Sequence, residues 1–266
     1  MHRISQDSMV YYQFESLSAY PALKHGIFTR LGGKSLAPFN SLNVGATVGD
    51  NLTSVHANRH KMAEVLGLRD EDTRTTWQVH GADVIVVVDN DPQASPPPQA
   101  DAIITQQAGI ALSMRFADCV PLVFFDPVSR AIGLAHAGWR GTVAKVARTT
   151  IQTMEAAFGS KPPDIIVGIG PSIGPCCYEV GSDVIDEIET AFSASTDLVR
   201  QMNGGSSRPH LDLWRCNEVA LREAGVKHIE TAGMCTATMT DEFFSHRAEH
   251  GNTGRFGVII ALGSES

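Results

Sequence analysis

The stretch ADCVPLVFFDPVSRAIGLAHAGWRGT, residues 117–142, decides how the rest of the chain is read. Pro121 to Phe125 is a first apolar strand, Asp126 to Ser129 a tight turn, and Ala131 to Ala135 a second strand. Cys119 enters the first strand and His136 leaves the second. In a hairpin those two ends lie side by side, so a thiol and an imidazole can converge at its mouth. That is the layout of a site. A third donor is then needed, and His80 in Trp77-Gln78-Val79-His80-Gly81 is the best candidate.

Outward from the hairpin, the segments on either side read as an α/β chain. Phe14 to Ser18 and His25 to Thr29 read as strand pieces leading into the Gly32-Gly33 turn, where glycine would let a ligand approach closely. Thr53 is placed to cap a helix running to Leu66, with Arg59 on its inward face beside Val55 and Met62. A charge there needs either a structural carboxylate or a cleft with an anionic ligand. Thr75 to His80 and Ala82 to Val88 read as strands around a turn, and Asp89 to Ala100 as a proline-rich surface loop with no chemistry. Ala102 to Thr105 and Ile110 to Arg115 are strands that return the chain to the hairpin.

Beyond it, Thr142 is placed to cap a helix ending at Gly159, and Ile165 to Ile169 is a strand opening into a loop that carries Cys176 and Cys177. Ser182 and Asp212 begin two further helices, with Ser193 to His210 between them as a mobile stretch. Phe256 to Leu262 is the last strand. No internal repeat or linker divides the chain, so one domain is expected over 9–266, with residues 1–8 as a poorly ordered extension.

The bulk composition narrows the function classes. In 266 residues, 43% hydrophobic and 19% charged content describe a globular chain with a sizeable core. A net charge of −8 argues against a nucleic-acid or anionic-membrane partner, while leaving room for a few buried arginines to hold a small anion. The opening lacks the apolar core of a signal peptide and no apolar run is long enough to span a membrane. Five cysteines, two of them adjacent, suit no disulfide framework, so a cytoplasmic setting is expected.

One Cys and two His suit zinc or copper better than magnesium or calcium, and three protein ligands leave a position for water or substrate. A thiolate and two neutral imidazoles leave a divalent ion with a net charge of about +1, enough for Lewis acidity. The spacing by itself is modest evidence, since a lone Cys is commonly a small core residue. Cys176 and Cys177 lack an evident cationic neighbour and read as structural, and Cys216 reads as core. A multicopper centre would need paired HxH motifs, and the chain has none.

At these residues the chain resembles the YfiH-like, laccase-domain family, also called polyphenol oxidases or purine nucleoside phosphorylases. The likeness runs through TRLGGKS, SLNVG, Asn58-Arg59, QVHG, ADCVPL, AHAGWRGT, IGPSIGPCCYEVG, MCT, FFSHR and TGR. It implies a zinc site of His80, Cys119 and His136. The implied fold is a single α/β (α+β) domain of mixed β-sheets flanked by helices, similar to the catalytic domain of cytotoxic necrotizing factor. The implied activities are phosphorolysis of adenosine, inosine and methylthioadenosine, and adenosine deamination. The substrates would be a purine nucleoside and phosphate, with no obligate protein partner. Two departures stand out: Thr238 where the family often has a second Cys, and His246 where it often has Tyr.

On that reading Asp118 is assigned proton transfer, Arg59 first and then Arg30 and Arg140 hold phosphate, and Gln78 and Asn43 read purine or sugar edges. The rival readings are a Cys119–His136 thiol hydrolase, a single-copper polyphenol oxidase, and a metal- or nucleotide-sensing module without turnover.

Overall fold

The hairpin forms with the expected pairing. β8 (Val120–Asp126) and β9 (Ala131–Ala137) are antiparallel, with Val120 opposite Ala137 and Pro121 opposite His136. Every residue of both strands is buried, which explains why the sequence is apolar from Val120 to Phe125 and from Ala131 to Ala135 and not alternating. Successive side chains point to opposite faces, so Leu122 and Phe124 enter one core while Val123 and Phe125 enter another.

The computed structural model describes residues 1–88, 92–192, 197–200 and 208–263. It is a single α/β domain built on two mixed six-stranded sheets. The first runs β1 (His2–Gln6), β2 (Met9–Gln13), β3 (Leu23–Phe28), β14 (Phe256–Leu262), β7 (Ala111–Phe116) and β4 (Thr73–Arg74). The second runs β13 (His228–Thr231), β10 (Ile166–Ile169), β8, β9, β6 (Ala102–Thr105) and β5 (Val84–Val87). A short pair, β11 (Val199–Arg200) and β12 (His210–Leu211), stands apart. The helices are α1 (Glu15–Ser18), α2 (Leu52–Val65), α3 (Trp139–Val143), α4 (Val146–Phe158), α5 (Ser182–Ala191) and α6 (Leu213–Glu223).

Four layers result. One core fills the space between the sheets, joining Val123, Phe125 and Leu134 to Met114, Phe116 and Ile260. A second lies between the hairpin sheet and α4, α5 and α6, and a third beneath Met62 of α2. Packing is tight where β10 crosses Phe14: a methyl group at Gly168 would overlap three ring carbons of that fully buried phenyl. Gly168→Ala is therefore expected to destabilise the fold by about 1–3 kcal/mol, read as a lower urea midpoint with unchanged slope.

Several expectations need correction. Residues 1–8 are not a loose extension, because His2–Gln6 pairs with Met9–Gln13 as the sheet's edge hairpin. The segment after Phe14 is the short helix α1, and the strand lies before it. Helix α2 is capped by Asn51, whose side chain accepts from the Ser54 amide at 3.1 Å, and not by Thr53. The helix read as starting at Thr142 is two: Gly138 precedes α3, and Lys145 at φ 62° breaks the chain before α4. Thr142 is buried and accepts from Asn217 at 3.1 Å. No side-chain cap from Ser182 holds α5, which follows Gly181. Residues 89–91 of the proline-rich loop, and 193–196 and 201–207 of the stretch read as mobile, lie outside the described residues. No helix among the described residues is long and apolar enough to cross a membrane.

Candidate metal and substrate site

Two chain segments that pass from the first sheet to the second build the site. Between β7 and β8, Asp118 turns the backbone at φ 80° and delivers Cys119 to the start of the hairpin. Between β4 and β5 the chain is irregular over Thr75 to His80, where a strand was expected, while the expected strand Ala82 to Val88 appears as β5; His80 itself sits at φ 63°. His136 comes from the last turn of pleat in β9. The donor atoms of His80, Cys119 and His136 all lie within 4.8 Å of one another.

Asp101, fully buried ahead of β6, ties two of these together. Its Oδ1 lies 2.8 Å from His136 Nδ1, while its Oδ2 accepts from the amides of Val79 at 3.0 Å and Gly81 at 2.6 Å. One carboxylate thus orients the His136 ring and shapes the loop carrying His80, leaving His136 Nε2 as the free donor. Burial alone would raise the Asp101 carboxyl, but the His136 contact and the two amides hold it below the usual carboxylate range. Sequence reading passed over Asp101; its only signal was a charge directly preceding an apolar strand.

Electrostatics favour the ligating form of sulfur. Burial would raise the Cys119 thiol, but the adjoining His136 charge and hydrogen bonds from both imidazoles bring it down to about 6. Burial would likewise lower His136, but the Cys119 thiolate and Asp101 bring it up to about 9. Gly138 allows this convergence, since a Cβ there would come 2.9 Å from Cys119 Sγ and 3.2 Å from His80 Cδ2. A soft donor, two imidazoles and a carboxylate behind one of them fit a zinc- or copper-type ion.

The trio opens into a cavity of about 650 Å³, also lined by Arg59, Arg115, Arg247 and Arg255. Among the described residues none of these four arginines forms an ion pair; carbonyl oxygens and the Gln78 amide oxygen are their hydrogen-bond acceptors. Burial, and then the like charge of Arg59, lowers the Arg115 guanidinium to about 10. Burial also lowers Arg59 and Arg255. A cluster of cations outside any direct ion pair, with only Asp118 and the Cys119 thiolate as negative groups among the described residues of the same cavity, can seat an anion. Trp77, 47% exposed, and Tyr178 add aromatic wall.

A family model described as "Multi-copper polyphenol oxidoreductase laccase" matches residues 24–263. The chain belongs to this laccase-domain family. It is 39% identical over 249 residues to "Purine nucleoside phosphorylase YlmD" of Geobacillus stearothermophilus, covering 90% of each chain. The crystal structure of YlmD from that organism superposes with a TM-score of 0.90 at 35% identity, covering 99% of this chain and 100% of the other. That of the Bacillus licheniformis hypothetical protein YfiH gives 0.86 at 34% identity, covering 97% of both.

Within this laccase-domain framework the other sequence candidates divide. Arg59 lines the cavity, and its partner is the Val44 carbonyl at 2.7 and 3.0 Å instead of a carboxylate. Gln78 lines it too, but its amide is committed to Arg115. Asn43 does not reach it: fully buried, it binds Gly45, Asp50 and the Arg255 amide and so positions the loop behind Arg255. Arg30 is also structural, held by Asn40 and Thr240 carbonyls and by Glu249 at 3.0 Å, with Phe244 beneath it. Arg140 is exposed, stacks on Trp139 and does not line the cavity. Asp118 lines it, yet Oδ1 accepts from Thr236 and Oδ2 from the Arg247 amide, each at 2.6 Å, so both oxygens already brace the wall.

Sequence reading missed Arg115, Arg247, Arg255 and Tyr178. It also took the proline-rich loop to carry no chemistry, whereas Pro97 lines the cavity. His246, one of the two departures, lines it as well, so that difference falls on the cavity wall. The Gly32-Gly33 turn serves packing: side chains there would strike the backbones of Ser8 and Met9, and of Ser41 and Leu42.

Proposed function

We propose that this chain is a zinc-dependent purine nucleoside phosphorylase. The observation that carries the reading is one cavity holding both a His–Cys–His donor trio and four arginines outside any direct ion pair. The names borne by its relatives support the phosphorylase half of it. His80, Cys119 and His136 are the residues that would hold zinc, which supplies Lewis acidity and an open coordination position.

The arginines hold phosphate and spread its charge as a phosphate oxygen bonds to ribose C1′. The C1′–N9 bond breaks, and its electron pair leaves with the purine, which takes up a proton. Trp77 and Tyr178 offer faces for the base. Water in place of phosphate, attacking C6 of adenosine, gives inosine and ammonia, the deamination that the same cavity would support. Asp118 acts chiefly by positioning Thr236 and Arg247.

Adenosine, inosine or methylthioadenosine mixed with phosphate and zinc-loaded protein is expected to release base and the sugar 1-phosphate, separated by chromatography. The absence of both sugar phosphate and deaminated product from all three would defeat the reading. Arg115→Met is expected to lower kcat/KM for phosphate roughly 10- to 100-fold, because a charge-assisted hydrogen bond is worth about 1.5–3 kcal/mol. An unchanged phosphate dependence would remove Arg115 from the anion site.

A second reading has its own support in the depressed Cys119 thiol beside His136, the pairing of a thiol hydrolase. It also agrees with the expected kinship to cytotoxic necrotizing factor. Rapid alkylation of Cys119 in metal-replete protein would favour it, since a ligated thiolate is shielded. Copper suits the same donors, and phenol oxidation that requires copper and fails with zinc would mark the oxidase alternative.

A further inference from the structure

A second group of thiols lies apart from the His–Cys–His trio. Cys176, Cys177 and Cys235 have all three sulfurs within 4.8 Å of one another. All are free, and the adjacent pair stands 3.4 Å apart, well beyond the roughly 2.05 Å of a disulfide. Sulfurs bound tetrahedrally at about 2.3 Å from a zinc ion sit about 3.8 Å from each other. The 3.4 Å of the adjacent pair falls a few tenths of an ångström short of that value, and the 4.8 Å limit on all three sulfurs accommodates it.

Two segments bring them together, and both are held firmly. After β10 and after β13 the chain forms a parallel bridge between Ser172 and Cys235, with Ser172 N–H donating to Met234 O at 3.2 Å and Thr236 N–H to Ser172 O at 3.0 Å. Trp214 Nε1–H donates to Ser172 Oγ at 2.6 Å, and His210 Nδ1 meets Pro175 O at 2.8 Å. Gly174 permits the approach, since a Cβ there would come 2.7 Å from Trp214 and 3.2 Å from Cys235 Cβ. Its amide donates to Cys235 Sγ at 3.2 Å, the kind of N–H to sulfur bond that supports a ligating thiolate. Cys235 is buried while Cys176 is exposed, so the group has a fixed floor and an open side.

We propose that Cys176, Cys177 and Cys235 form a second metal site for a soft closed-shell ion, zinc or cuprous copper. An all-sulfur donor set selects such ions over magnesium and calcium. Three thiolates leave a net negative charge on either ion, and Arg247, which donates to the Glu179 carbonyl at 3.0 Å, places a guanidinium nearby. The loop carrying Cys176 and Cys177 also presents Ile173 and Tyr178 to the cavity, so an ion there braces one substrate wall.

The test is metal content per chain after reduction, anaerobic loading with zinc and dialysis. Cys176→Ser, an exposed substitution that leaves the core intact, is expected to hold about one ion fewer than the wild type. Cys235→Ser is expected to lose the same ion, and Cys119→Ser to keep it. With cobalt(II) as probe, thiolate charge-transfer absorption should persist in Cys119→Ser at about three times the intensity left in Cys176→Ser. A cuprous titration against a chelator, showing tighter retention than zinc and lost on Cys176→Ser, would identify copper as the ion held. Equal metal content in wild type and Cys176→Ser for both ions, or cobalt absorption that disappears with Cys119 alone, would overturn the site. Failure of the His80–Cys119–His136 site by itself would lower every count together and leave the Cys176 difference standing.

Discussion

Cys119→Ser is expected to remove metal retention and nucleoside turnover together, each by more than about 100-fold, the upper end of what a merely supporting residue costs. Serine preserves size but offers no thiolate, and its hydroxyl stays protonated where the Cys119 thiol is brought down to about 6. The side chain lies in a short crossing between the sheets, outside the three apolar cores, so the unfolding midpoint should scarcely move. Metal analysis and the adenosine–phosphate assay on the same sample decide the matter. Full turnover by a metal-free Cys119→Ser protein would end the metal-centred reading.

Asp101→Asn carries the second large effect, an expected 10- to 100-fold loss of metal affinity with a parallel fall in kcat/KM. The carboxylate accepts on both oxygens, from His136 on one side and from the Val79 and Gly81 amides on the other. An amide of the same shape has only one acceptor. Whichever way it turns, its NH₂ faces a donor, either the imidazole or the His80 loop. One ligand is therefore mis-set. Competition against a chelator gives the affinity, and excess zinc should restore part of the activity. Damage from a purely structural lesion would not respond to zinc concentration, and unchanged affinity would reduce Asp101 to a core carboxylate.

The sequence was most informative where one pattern admitted one structure. The run from Val120 to Phe125 is apolar at every position because both faces of the strand are covered, and the Asp126-Pro127 that follows marks the turn back. Phe256–Leu262 appears within its expected bounds, and Asp212 caps α6 as expected, accepting from the Arg215 amide at 3.0 Å. The convergence of Cys119 with His136 follows from hairpin geometry alone. His80 joined them through chemical type and family resemblance, since no local pattern signals a residue at φ 63° in an irregular crossing.

What the chain could not announce was which residues meet across layers. Arg59 comes from α2, Arg115 from β7, and Arg255 from the approach to β14, and they face one cavity only because the two sheets stack with their crossings side by side. The same limit hid Asp101, and it made Asn43 and Arg30 look like ligand-binding residues when their partners are other parts of this chain. Local sequence sets strand and helix through periodicity and turn chemistry, which act over a few residues. The cavity is made by contacts between positions up to about two hundred residues apart, and only the folded packing of the layers fixes those.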